Sequence, residues 1–115
     1  MFVNLARNWF VVCLVALTNC GCTASPGRKV YIESGCARCH GGGLSGTQMG
    51  PPLKDLRQNW GKDQLLKFLK SPNGYKKQNE RLQRIAARFR VPMPAFSMDD
   101  TSRGRLADYL LEQSK

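Results

Sequence analysis

Cys36-Ala37-Arg38-Cys39-His40 constrains this chain more than any other stretch of it. Two thiols three residues apart, followed at once by an imidazole, form the attachment pattern for a c-type haem. The spacing follows the shape of the cofactor. The thiols add across two vinyl groups on neighbouring edges of the porphyrin, and the adjoining His40 presents a ring nitrogen to the iron. Other uses of these residues explain less. A zinc site wants four ligands, and His40 is the one histidine in the chain. A thioredoxin-type pair belongs beside a βαβ pattern, and no segment shows convincing strand alternation. A disulfide across Cys36 and Cys39 would close a tiny loop and leave His40 without a purpose.

With 115 residues the chain suffices for one small domain and not two. Its first two dozen residues read as an export signal. Arg7 supplies a positive start, and the apolar run from Trp9 to Leu17 is well short of the roughly 20 residues that span a bilayer as a helix. Cys22-Thr23-Ala24 places small residues for cleavage before Ser25. Leu17-Thr18-Asn19-Cys20 resembles a bacterial lipobox instead, and Cys22 after Gly21 offers a second position for a lipid. The expected organisation is a signal peptide over 1–24, or a lipoprotein signal ending at Cys20 or Cys22, followed by the working domain over 25–115. Export to a bacterial periplasm, with or without a membrane anchor, agrees with the motif. Thioether bonds retain a cofactor where a dissociable one would be lost.

The formal net charge is +10. Residues 25–115 hold all of the acidic residues and all but Arg7 of the basic ones. Lys67, Lys70, Lys76, Lys77, Arg81, Arg84, Arg88 and Arg90 form a basic stretch, which suits acidic redox protein partners, a membrane oxidoreductase or anionic lipid head groups. Nucleic acid is not expected for an exported protein.

Apolar spacing predicts a short helix over Arg28–Ser34 and another over Trp60–Lys70, with Leu65, Phe68 and Leu69 on one face. Pro72-Asn73-Gly74 should end the latter. A third helix over Gln78–Arg90 carries Leu82, Ile85, Ala86 and Phe89 and stops at Val91-Pro92. The last begins at Asp99, a good N-cap, and turns Leu106, Tyr109 and Leu110 inward. Gly41 to Asn59 reads as an irregular loop, with a turn of helix at Leu53–Arg57. The expected fold class is all-α: three to five short helices and long loops wrapped around one covalently bound haem. Loops this long need something to pack on, and an apolar prosthetic group supplies it.

No second histidine exists to bind the far side of the iron. Met93-Pro94-Ala95-Phe96 lies between two helices, and Met93 is the candidate distal ligand. A thioether there favours Fe(II) and raises the reduction potential relative to a second imidazole. Met49, just before Gly50-Pro51, and Met98, at the mouth of the last helix, are its rivals.

Taken together, Cys36-Ala37-Arg38-Cys39-His40, Gly50-Pro51-Pro52-Leu53, Met93-Pro94-Ala95-Phe96 and Tyr109-Leu110 fall in the order and spacing of a class I monohaem cytochrome c, which residues 27–115 resemble. The resemblance implies several roles. Cys36 and Cys39 would carry haem c as thioethers, with His40 and Met93 as the axial ligands of its iron. The Pro51 carbonyl would accept a hydrogen bond from His40 Nδ1, fixing the ring. Gly27 would let the first and last helices cross closely opposite Tyr109. Trp60 would give its N–H to a haem propionate or serve the core. Two features depart from the smallest members of the family. Gly74 to Arg90 adds a basic helix, and Gly104 interrupts the last helix pattern. The implied function is one-electron transfer between periplasmic or membrane redox partners, not catalysis. The alternatives are a haem-binding subunit of a larger redox enzyme complex, or a peroxidase-like or gas-binding protein if the sixth iron position is open.

Overall fold

The computed structural model describes residues 24–114. The export signal and its candidate lipid sites, Cys20 and Cys22, lie outside the described residues, except for Ala24 at its end.

Helices from the two ends of the described residues make the frame of the fold. α1 spans Pro26–Glu33, and Ser25 Oγ accepts from the Arg28 amide at 3.2 Å to cap it. Pro26 sits in the first turn, where no backbone donor is needed. The last helix spans Asp100–Glu112, and the Asp99 carboxylate accepts from the Ser102 amide at 2.6 Å. These two helices cross at Gly27, where a β-carbon would overlap the Arg105 carbonyl oxygen and Tyr109 Cβ. Tyr31 is fully buried beneath the crossing, its ring centroid 5.8 Å from that of Tyr109.

Between them lie α2 (Ala37–His40), a 3-10 turn at Leu56–Gln58, α3 (Lys62–Lys70), α4 (Pro72–Lys76) and α5 (Glu80–Ala86), so the last helix is α6. The Gln64 side chain accepts from the Gly61 amide at 3.1 Å at the start of α3, and Lys67 and Lys70 complement its C-terminal dipole. Leu65 and Leu69 are buried where α3 packs on α6, in one core with Leu106, Ala107 and Leu110. Asn79 caps α5 by accepting from the Leu82 amide at 3.0 Å. The 3-10 turn is bound to the chain's end: the Leu56 amide donates to Ser114 Oγ at 2.9 Å and Arg57 Nε to the Leu111 carbonyl at 2.6 Å.

The all-α class with long loops holds. The described residues contain no strand, and one isolated bridge joins Thr47 to Gly50. Six α-helices stand where three to five were expected, because two are a turn or so long. The motif itself coils into α2. Pro72, expected only to terminate α3, also opens α4, since proline suits a first helical turn. The turn expected at Leu53–Arg57 falls at Leu56–Gln58. The Gln78–Arg90 helix is trimmed to Glu80–Ala86. Gly104 does not break α6, which runs through it unbroken.

Candidate functional site

The motif folds into a single turn that buries Cys36 and His40 and leaves Cys39 half-buried, with both thiols free. The following loop folds back over this turn. Gly46 makes the reversal possible: its φ is +78°, and a β-carbon there would lie 2.6 Å from the Pro52 nitrogen. Its amide donates to the His40 carbonyl at 2.8 Å, while Thr47 Oγ1 donates to the Cys39 carbonyl at 2.7 Å. These ties bring the Pro51 carbonyl to 2.8 Å from His40 Nδ1. Nδ1 donates in that bond, so Nε2 is the ring nitrogen left for another atom. No described residue bonds it. Burial pushes the His40 pKa below the ordinary histidine value, and the Pro51 carbonyl opposes that shift. The ring is thus neutral and oriented, which is the state a metal ligand needs. Burial pushes the Cys36 thiol upward, so it stays protonated.

Cys36, Cys39 and His40 all border one cavity of about 560 Å³. Its walls are mostly apolar and draw on every part of the domain: Leu53 from the loop, Leu65 and Phe68 from α3, Leu82 from α5, Leu110 from α6. Met93 borders it too, half-buried and packed against the core. So does Met49, although its side chain is 52% exposed. Met98 does not border the cavity and packs against the core instead. The structure therefore brings the predicted ligand residues together and sets Met98 apart.

Trp60 forms another wall. It is buried against Phe68 and Tyr75, with ring centroids at 5.1 and 5.7 Å. The Arg81 guanidinium lies 5.3 Å above its ring, a cation–π contact. Its indole N–H has no hydrogen-bond partner among the described residues. Arg81, read from the sequence only as surface charge, is half-buried and borders the cavity. The signal was present: Arg81 stands four residues before Ile85, on the side that the apolar stripe of α5 turns inward. Tyr31 also borders the cavity and donates to the Gly41 carbonyl at 2.6 Å, and burial holds its phenol at about 12.

The residues present fit a stapled tetrapyrrole. Two free thiols, an oriented imidazole with one nitrogen spare, a thioether and a large apolar chamber surround one space. The family model described as Cytochrome c matches residues 24–114. Comparison with curated proteins and with solved structures returns no match. With that match spanning the whole described domain, the chain belongs to the cytochrome c family, and its cofactor is covalently bound haem c with its iron.

Proposed function

We propose that this chain is an exported one-electron carrier with a His/Met-ligated iron. Haem-based electron transfer is the family's general activity. When bound, the haem supplies a one-electron Fe(III)/Fe(II) couple. Cys36 and Cys39 would hold it as thioethers, each thiol S–H adding across a vinyl group, so that no atom leaves and the chain gains the whole mass of the cofactor. His40 would hold the iron through Nε2 while the Pro51 carbonyl fixes Nδ1. Met93 would supply the second protein ligand through its thioether, and Trp60 would give its N–H to a propionate. Held by two protein side chains, the iron would offer no place to a substrate, and the chemistry left to it would be one-electron transfer. The observation that carries this reading is the 2.8 Å bond from His40 Nδ1 to Pro51, which leaves Nε2 spare on the wall of a cavity that Met93 shares.

The basic surface from α3 to the segment that follows α5 directs the carrier to acidic redox proteins or a membrane oxidoreductase outside the cytoplasm. Lys67, Lys70, Lys77, Arg84, Arg88 and Arg90 are exposed there. Lys76 and Arg81 carry the charge to the rim of the cavity. Cleavage before Ser25 gives a periplasmic shuttle, and a lipid on Cys20 or Cys22 gives an anchored one.

An optical spectrum and an intact mass of the purified protein test these statements together. A Soret band, one haem mass per chain and a far-red iron–sulfur charge-transfer band in the oxidised state are expected, the last lost in Met93→Ala. Absence of that band, with rapid carbon monoxide binding by the unaltered protein, would overturn the His/Met carrier in favour of an open-site haem protein. The same mass distinguishes cleavage from lipidation.

A further inference from the structure

Arg103 occupies a place where α6 should be apolar. It lies on the stripe with Leu106, Ala107 and Leu110, and it is 8% exposed. Burying a guanidinium costs several kcal/mol unless its donors are satisfied, and here they are not all satisfied. Nη1 meets the Asp100 carboxylate, whose side chain stands 93% exposed. Nη2 donates to the Met98 carbonyl at 2.8 Å. Nε is buried and has no partner. An aliphatic side chain would fill this place at lower cost, so what the arginine adds is its bond to Met98.

That bond has an unusual standing. Residues 91–98 form the strap that carries Met93 along the cavity. They make no backbone–backbone hydrogen bond among the described residues, and the Arg103 bond to the Met98 carbonyl is their sole hydrogen bond there. The rest of their attachment is apolar: Met93 and Met98 pack against the core, and Val91, a cavity-lining residue, is 58% exposed. Arg103 itself does not border the cavity.

We infer that Arg103 is a positioning residue that latches the 91–98 strap through the Met98 carbonyl and so sets how readily Met93 leaves the iron. The inference rests on the Met93 ligation proposed above. The latch acts on the equilibrium between a closed strap, with the thioether in place, and an open one that admits an external ligand. A hydrogen bond from a charged donor corresponds to roughly a tenfold change in the open population or more.

The test uses the purified holoprotein and its Arg103→Met and Arg103→Lys variants, with free imidazole as the external ligand of the ferric iron. A second readout, independent of iron ligation, is the rate of chymotryptic cutting after Phe96 under native conditions. A third is the global denaturation midpoint. In Arg103→Met, imidazole association and Phe96 cutting should both accelerate by about tenfold or more. The midpoint should hold or rise, because an apolar residue replaces a partly unsatisfied ion. Arg103→Lys, with a point donor in place of the fork, should fall between. Asp100→Asn leaves the Met98 bond in place and should behave as the unaltered protein. Unaltered imidazole and cutting rates in Arg103→Met would overturn the latch, as would acceleration that only tracks a falling midpoint across all variants. Failure of the ligation reading looks different: the unaltered protein then lacks the iron–sulfur band, whereas the Phe96 cutting rates still report on the strap.

Discussion

The backbone of Gly27 rests directly on the β-carbon of Tyr109, with no room for a side chain between α1 and α6. The Arg105 carbonyl closes the same space, and its carbon would lie 3.0 Å from any β-carbon at 27. Neither obstacle is a flexible side-chain tip that could swing away. Gly27→Ala should therefore push the helices apart and destabilise the domain by about 1–3 kcal/mol, read as a lower denaturation midpoint. The Soret band at low temperature should be unaffected, because neither Gly27 nor Tyr109 borders the cavity.

Gly104 presents the opposite case. It lies inside α6, and a β-carbon there would meet nothing within 4 Å. Gly104→Ala should stabilise the protein by roughly 1 kcal/mol, through the helix alone. Chemical denaturation should show a higher midpoint at an unchanged slope.

Tyr31→Phe should cost about 1–3 kcal/mol, because it strands the Gly41 carbonyl that the phenol holds at 2.6 Å. The substitution also changes the pH profile. Burial pushes the Tyr31 phenol up to about 12 in the folded protein, from an ordinary value of 10.0. In the unfolded chain it loses its proton first. Its contribution is therefore complete below pH 10 and declines as pH rises toward 12. The difference in unfolding free energy between the two proteins should narrow across that window, and equilibrium denaturation from pH 9 upward checks it.

Arg81 holds a positive charge on the cavity wall, over the Trp60 ring. A cation there favours the iron state of lower positive charge. Arg81→Gln should lower the reduction potential, on the order of tens of millivolts at partly screened distances. A redox titration measures it directly. Arg84→Gln, at a more exposed position paired with Glu80 at 3.7 Å, should shift it far less.

The exposed charges from α3 to the segment that follows α5 should appear in kinetics, not in stability. Electron transfer to an acidic partner should slow by roughly tenfold or more between low and high ionic strength. The triple reversal Arg84→Glu, Arg88→Glu, Arg90→Glu should flatten that dependence. Stopped-flow measurement over a salt series reads both. A flat response in the unaltered protein would rule out steering.

The legible parts of this molecule were those governed by local chemistry. Asp99 as a cap and the inward stripe of α6 follow from residue type and spacing. The bond from His40 to Pro51 came by resemblance, and the structure shows why it forms, since Gly46 turns the loop back at a φ open to glycine. The parts that escaped depend on what a side chain meets after folding. Arg81 looked like one more surface charge, and only the arrival of Trp60 from another segment makes it a cavity wall. Arg103 lies on the inward stripe of α6, a place that a charged residue type does not indicate. Pro72 carried two opposite signals, a stop for α3 and a start for α4, and the chain uses both.

The crossing of α1 and α6 has a consequence for how the protein is made. Each of these helices is the other's covering, and they come from opposite ends of the domain. The cavity also takes a wall from α6, through Leu106 and Leu110. A nascent chain that has delivered Cys36, Cys39 and His40 but not yet its last residues thus has the attachment sulfurs and no chamber around them. The chamber is complete only when α6 has been delivered, so ring and helix pair would close on one another after the chain is finished.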